Sequence, residues 1–335
     1  MKDLIKQLTE VWGPSGQEGA VRGLITAAVK PLVDDLRTDA MGNLIAVKRP
    51  TVESASGRRI MLAAHMDEIG VIVTHVDANG FLRFSSIGGV NPLTLLGGRV
   101  AFGNGVRGVI GIEKRESPAE EVKLEKLFID VGATDKERAE RLVTVGDVGS
   151  FDRQFADLGD RLVAKAMDDR VGCAVLVQTL RELRSTSHEV SFVFTVQEEV
   201  GLRGATTSAY GVNPDIAIAV DVTATGDTPE ARTMAVGIGK GPAIKVKDRG
   251  MLAHSGLKNL LVRMAKDSGI PYQLEVLEFG STDAMAMQMT REGIPAGVIS
   301  VPTRYVHTPS EMVDYADVLG AVRLLVATLS APMEF

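Results

Sequence analysis

The chain has 335 residues, a formal net charge of −6 and 45% hydrophobic residues. That length suits two domains, or one large domain carrying an insertion, and the mild acidity argues against nucleic acid as a partner, because phosphate contact needs a basic face. No apolar run approaches the ~20 residues that span a bilayer, the N-terminal MKDLIKQLTE lacks the apolar stretch of a secretory signal, and the single cysteine, Cys173, excludes an intrachain disulfide. A cytoplasmic protein with no membrane association is expected.

Residues 1–11 and 17–31 read as helices separated by Gly13-Pro14-Ser15-Gly16. Residues 35–48 read as a hairpin turning at Met41-Gly42-Asn43, and the apolar run from Arg59 to Ala64 as a buried strand. From about 70 to 162 the texture changes. Short runs such as Gly70–Thr74, Phe81–Phe84 and Gly108–Ile112 are punctuated by glycines, with one short helix pattern at 135–141. This stretch predicts a small all-β module.

The α/β alternation then returns. Asp169 is placed to cap a helix running to about Leu183. Strands are expected at 188–196, 215–220, 241–246, 272–277 and 296–301, and helices at 201–210, 255–267, 282–289 and 311–330. Strands alternating with helices imply a helix-covered, mainly parallel central sheet. The catalytic domain is therefore expected to be discontinuous, 1–69 joined to 163–335, with 70–162 inserted.

Five short segments place polar residues at a strand end or helix start: Ala64–Asp67, Met167–Arg170, Gln197–Glu199, Val220-Asp221 and Val306-His307. In open α/β sheets, sites gather at the carboxyl ends of the strands. Each fragment alone has a bland reading. A lone histidine after a strand is usually structural, Asp168-Asp169 is a good helix cap, and Glu198-Glu199 suits a solvated turn. Together they would bury several carboxylates, which is costly without compensation. A pair of divalent cations would supply it, and imidazole with carboxylate suits zinc or cobalt.

In these segments the sequence resembles the tetrahedral aminopeptidases, the glutamyl-aminopeptidase-like branch of two-metal peptidases. The match is carried by AAHMDEIG (63–70), AKAMDDRVG (164–172), TVQEEVGLRGA (195–205), AVDVT (219–223), GSTDA (280–284) and RYVHTPSEMV (304–313). Met167, Ser281 and Thr308 are small departures that remove no ligand. The resemblance implies a phosphorylase/peptidase-like fold with an inserted small β-barrel that forms the dimer. It implies that Asp168 bridges two metals, with His65 and Asp221 completing one shell and Glu199 and His307 the other. Glu198 would be the general base acting on a metal-activated water, and Asp67 would orient His65 from behind. The resemblance also implies a cis Asp168–Asp169 peptide, since relatives use one between the two adjacent aspartates. The implied activity is removal of N-terminal residues from short peptides, by a dimer or by a hollow twelve-subunit tetrahedron of dimers.

Other signals carry less. Gly103-Asn-Gly-Val-Arg-Gly108 spells a dinucleotide fingerprint but precedes a strand, not a helix, and Gly239-Lys240-Gly241 lacks P-loop spacing. There is no H-E-x-x-H and no G-x-S-x-G. Cys173 reads as core, and His75, His188 and His254 as structural or exposed. The competing functions are another hydrolase on the same centre (an N-acyl hydrolase, a carboxypeptidase, or the endoglucanase label some relatives carry) and a non-catalytic metal-binding scaffold. A glycosidase normally uses a carboxylate pair without metal.

Overall fold

The computed structural model describes residues 1–114, 117 and 120–335. The chain begins with helices α1 (Lys2–Glu10) and α2 (Gly19–Val29), the hairpin β1 (Asp35–Thr38) and β2 (Leu44–Lys48), and strand β3 (Arg59–His65). Next come β4 (Gly70–Val76), β5 (Leu82–Ile87), β6 (Arg99–Phe102), β7 (Arg107–Ile112), β8 (Leu127–Asp130), α3 (Lys136–Leu142) and β9 (Val148–Phe151). The remainder runs β10 (Ala156–Asp157), β11 (Arg161–Ala164), α4 (Met167–Glu182), β12 (Glu189–Thr195), α5 (Arg203–Val212), β13 (Ile216–Thr223), β14 (Ala243–Lys247), α6 (Ser255–Asp267), β15 (Gln273–Val276), α7 (Asp283–Gln288), β16 (Ala296–Arg304), β17 (Glu311–Asp314) and α8 (Tyr315–Leu329).

Strands β4 to β9 close into an antiparallel barrel in the order β4-β5-β8-β7-β6-β9. Its interior is one apolar cluster that includes Val71, Val73, Leu82, Phe84, Val100 and Ile129. The other eleven strands form a mixed sheet ordered β1-β2-β12-β3-β13-β16-β17-β11-β10, with β14 pairing β16 and β15 pairing β14. Its centre, β12-β3-β13-β16, is parallel. The strands flanking that centre on this path pair antiparallel.

The parallel centre follows from burial on both faces. Along β3, Ile60, Leu62 and Ala64 join the larger core with α1, α2, α4, α6 and α8, while Met61 and Ala63 face a second core with α5 and α7. The strand repeat of two sends alternate residues to opposite sides. The second core is rich in alanine (Ala63, Ala205, Ala209, Ala217, Ala219, Ala284), so its helices pack close to the sheet.

Two expected boundaries differ. Glu311–Asp314 is a strand paired with β11, and the closing helix starts at Tyr315, where Asp314 caps it by accepting from the Ala316 N–H at 2.7 Å. The barrel's last strand ends at Phe151, and Ala156–Asp157 and Arg161–Ala164 already belong to the large sheet.

Candidate active site

The carboxyl ends of the four parallel strands converge on one cleft. His65 closes β3, Glu198 and Glu199 follow β12, Asp221 lies near the end of β13, and His307 follows β16. Asp168 and Asp169 enter from the start of α4, where both have non-helical dihedrals and the peptide between them is cis. Asp169 caps the helix proper, since its Oδ1 accepts from the Gly172 N–H at 3.1 Å, and its Oδ2 accepts from the His65 N–H at 3.1 Å. One aspartate is thereby spent on the backbone and the other is left facing the cleft.

Asp168 stands between the two histidines. Its Oδ1 lies 3.0 Å from His65 Nε2 and its Oδ2 3.3 Å from His307 Nε2. His307 Nε2 is also 3.3 Å from Glu199 Oε2, and Glu198 Oε2 lies 3.9 Å from His65 Nε2. Donor atoms of His65, Asp168 and Asp221 all fall within 4.8 Å of one another, and so do those of Asp168, Glu199 and His307. Asp168 belongs to both groups.

The surrounding groups hold this arrangement. His65 Nδ1 is 3.0 Å from the Asp67 carbonyl oxygen and 3.5 Å from its Oδ1, which fixes the ring so that Nε2 faces the cleft. The same Asp67 carboxylate accepts from the N–H groups of Glu198 and Glu199 at 3.0 and 3.2 Å and from Ser15 Oγ at 2.6 Å. Glu311, which the sequence reading assigned to a helix, has its carboxylate buried behind the cleft. It accepts from the Asp168 N–H at 2.9 Å and the His307 N–H at 2.8 Å. From the barrel, Gly89 lies so close that a Cβ there would sit 2.6 Å from His307 Nδ1; only glycine fits. Glu311 stands within the quoted segment RYVHTPSEMV, so its acid was in view, whereas nothing local marked Gly89.

Burial opposes ionisation throughout. It drives the carboxyls of Glu198 and Asp221 well above their ordinary range, with neighbouring carboxylates adding to the effect. Burial also disfavours charge on His307, but the carboxylates of Asp168 and Glu199 outweigh it and push the imidazole up to about 12. His65 is likewise held well above its ordinary value, against its burial, by Asp168 and Asp67. Asp168 stays far below the carboxylate range in spite of burial because both imidazoles hydrogen-bond to it. Glu199 Oε1 is buried with no hydrogen-bond partner among the described residues. A crowd of buried carboxylates around two imidazoles, with one oxygen orphaned, lacks positive charge, and such oxygen and nitrogen donors suit divalent cations.

The cleft opens into a cavity of ≈610 Å³ lined by His65, Asp168, Glu198, Glu199, Asp221 and His307 among others. Away from it, His188 is buried and accepts from the Arg58 N–H, and His254 caps α6. Cys173 is buried with its Sγ 3.1 Å from the His65 carbonyl oxygen. Among the described residues no helix is long and apolar enough to cross a membrane.

Residues 42–324 match the family model described as M42 glutamyl aminopeptidase. A relative from Acetivibrio thermocellus, a "putative aminopeptidase", is 49% identical over 98% of both chains. Among solved structures, an aminopeptidase from the archaeon Desulfurococcus kamchatkensis superposes with a TM-score of 0.94 at 44% identity, covering 98% of this chain and 94% of that one. The Pyrococcus horikoshii TET1 peptidase, which can assemble into a tetrahedron or a large octahedral shell, gives a TM-score of 0.87 at 33% identity over 98% of both chains.

Proposed function

Because this chain belongs to the M42 glutamyl aminopeptidase family, we propose that it removes residues from the free N-termini of short peptides, using two divalent cations and a glutamate base. The observation that carries this reading is the position of Asp168, one oxygen toward His65 and the other toward His307, with Glu198 beside them. Asp168 would be shared by both cations, His65 and Asp221 would complete one shell, and Glu199 and His307 the other. Zinc or cobalt held there would lower the pKa of the attacking water and polarise the scissile carbonyl.

The chain's own residues then have defined work. Glu198 takes a proton from the attacking water and passes it to the leaving amine. Asp67 holds the backbone of Glu198 and Glu199 and orients His65. The substrate's α-amine lies against the ligand carboxylates, which gives a preference for free N-termini.

The test joins elemental analysis to a release assay on aminoacyl, N-acetylated and cellulosic substrates. Metal-dependent release that requires a free amine is expected. Hydrolysis of the blocked substrates alone would mean an N-acyl hydrolase, release of sugar an endoglucanase, and metal binding without turnover a scaffold.

In this reading the residues of the large sheet and its helices, 1–69 and about 156–335, form the catalytic domain, and the inserted barrel, Gly70–Phe151, provides the dimer contact, in a cytoplasmic enzyme. The Pyrococcus relative, which can assemble into a tetrahedron or a large octahedral shell and is seen as a dodecamer, supports a large assembly, for which we propose a twelve-subunit tetrahedron of dimers. Light scattering of the metal-loaded protein at micromolar concentration should show a dimer or larger; a monomer would remove this part.

A further inference from the structure

Charged groups on a pocket wall decide whether it admits a charged side chain, because an ion taken out of water needs a partner. Apart from the proposed ligands and Glu198, the described residues lining the ≈610 Å³ cavity include two cations, Lys245 and Arg304, and no carboxylate. Both cations are already engaged. Lys245 is 1% exposed. Its Nζ stands 2.9 Å from Glu275 Oε1, off the line of a hydrogen bond, and 3.8 Å from Asp248 Oδ2. Neither carboxylate reaches the cavity wall. Arg304 donates from Nε at 3.0 Å and from Nη2 at 2.9 Å to the two oxygens of Asp227, the fork-on-carboxylate geometry that guanidinium favours. Asp227 is itself fixed by the Ile238 N–H at 3.0 Å.

The rest of the wall is uncharged. Val222 and Leu277 are buried in it, Phe279 stands nearer the rim, and Leu202 and Val306 complete its apolar part. With the α-amine at the ligand carboxylates, the first side chain of a substrate extends along this wall. We propose that the pocket takes an uncharged, apolar N-terminal side chain of leucine or methionine size, and that Asp227 enforces this by holding Arg304. The inference rests on the aminopeptidase reading of the same site. A glutamyl side chain would find its natural partner, Arg304, occupied. A lysyl side chain would meet, among the described residues lining the cavity, no carboxylate outside the ligand set and Glu198. The guanidinium keeps the Asp227 carboxyl down at about 2, so the clamp stays ionised at any ordinary assay pH.

The experiment measures kcat/KM for leucyl, methionyl, glutamyl and lysyl aminomethylcoumarin substrates with the zinc- or cobalt-loaded enzyme. It compares the wild type with Asp227→Asn and Arg304→Gln. The wild type should favour leucyl and methionyl over glutamyl and lysyl by about 100-fold. Asp227→Asn frees the guanidinium while keeping the side-chain shape, so the glutamyl-to-leucyl ratio should rise about tenfold. Arg304→Gln should show no such rise, because the cation is gone. Asp227→Ala frees the same guanidinium and replaces the amide variant if that one fails to fold. A wild-type preference for glutamyl or lysyl substrates, or an unmoved ratio in a folded Asp227 variant, overturns the assignment while leaving the aminopeptidase reading in place. Failure to release any of the four overturns that reading, and this inference with it.

Discussion

The Asp67 carboxylate accepts the backbone N–H of Glu198 at 3.0 Å. Its other oxygen accepts the N–H of Glu199 at 3.2 Å and the Ser15 hydroxyl at 2.6 Å. One buried carboxylate therefore sets the path of the backbone that carries both glutamates. Asparagine in its place offers a single acceptor oxygen and turns an N–H group toward at least one donor. Asp67→Asn is expected to weaken metal binding or activity about 10- to 100-fold while the protein still folds. Metal titration and steady-state kinetics, with circular dichroism as the fold control, measure this. Unchanged values for both would mean that the glutamate backbone is held without Asp67.

Glu198 and Glu199 are neighbours that take different tasks in the proposed chemistry. Glu199 Oε2 faces His307 at 3.3 Å, whereas Glu198 Oε2 faces His65 at 3.9 Å. Glu198→Gln removes the proton acceptor and leaves the ligand groups in place, so turnover should fall about 10²- to 10⁴-fold with metal content retained. KM should change little, because ground-state contacts persist. Glu199→Gln should lose metal on dialysis. Elemental analysis of both variants separates them. If Glu198→Gln lost metal as readily as Glu199→Gln, or kept wild-type turnover, another group would have to carry the proton.

Much of this centre was legible because it is written in short segments. The run Ile60–Ala64 is apolar on both faces and ends on His65, and Ile216–Val220 does the same before Asp221. Of the antiparallel flanks, the β1–β2 hairpin is legible from its Met41-Gly42-Asn43 turn, whereas pairing between distant strands such as β11 and β17 leaves no local signature. Glu311 was read into a helix because the apolar spacing of the following helix extends back across it. Only the Asp314 cap and the pairing with β11 separate the two. The approach of Gly89 to His307 and the Arg304–Asp227 clamp join residues far apart in sequence. His307 itself has φ +62°, a backbone state that its residue type does not announce.

Removing the proposed cations should destabilise the protein, and their affinity should depend on pH. In the metal-free chain, burial opposes charge on His307, yet Asp168 and Glu199 push it up to about 12. That raised value stabilises the metal-free fold fully below the ordinary 6.5, and the contribution is lost as pH rises toward 12. A cation that takes His307 as a ligand must displace its proton, so binding weakens as pH falls. At about a hundredfold excess over Kd, each bound ion adds about 2.7 kcal/mol of stability. Calorimetric titration in two buffers of different ionisation enthalpy should reveal proton release on uptake. Uptake without proton release would count against the histidines as ligands.

Asp283 supplies a second pH dependence. Its Oδ2 accepts from Thr195 Oγ1 at 2.5 Å, and its Oδ1 is buried without a hydrogen-bond partner among the described residues. Burial raises this carboxyl from 3.8 to about 6. Between those values the folded chain keeps a proton that the unfolded chain has released, so stability from this group is present below pH 3.8 and declines as pH rises to 6. Asp283→Asn keeps the size and the acceptor for Thr195 and has no proton to lose. Thermal melts of the chelated protein test this, with no metal charge to complicate the comparison. The variant should melt near the wild type at pH 4 and above it at pH 7, the gap opening between the two pH values. Parallel melting profiles across that range would show that Asp283 is ionised in the folded state, and that its environment is more polar than its burial among Thr195 and its neighbours implies.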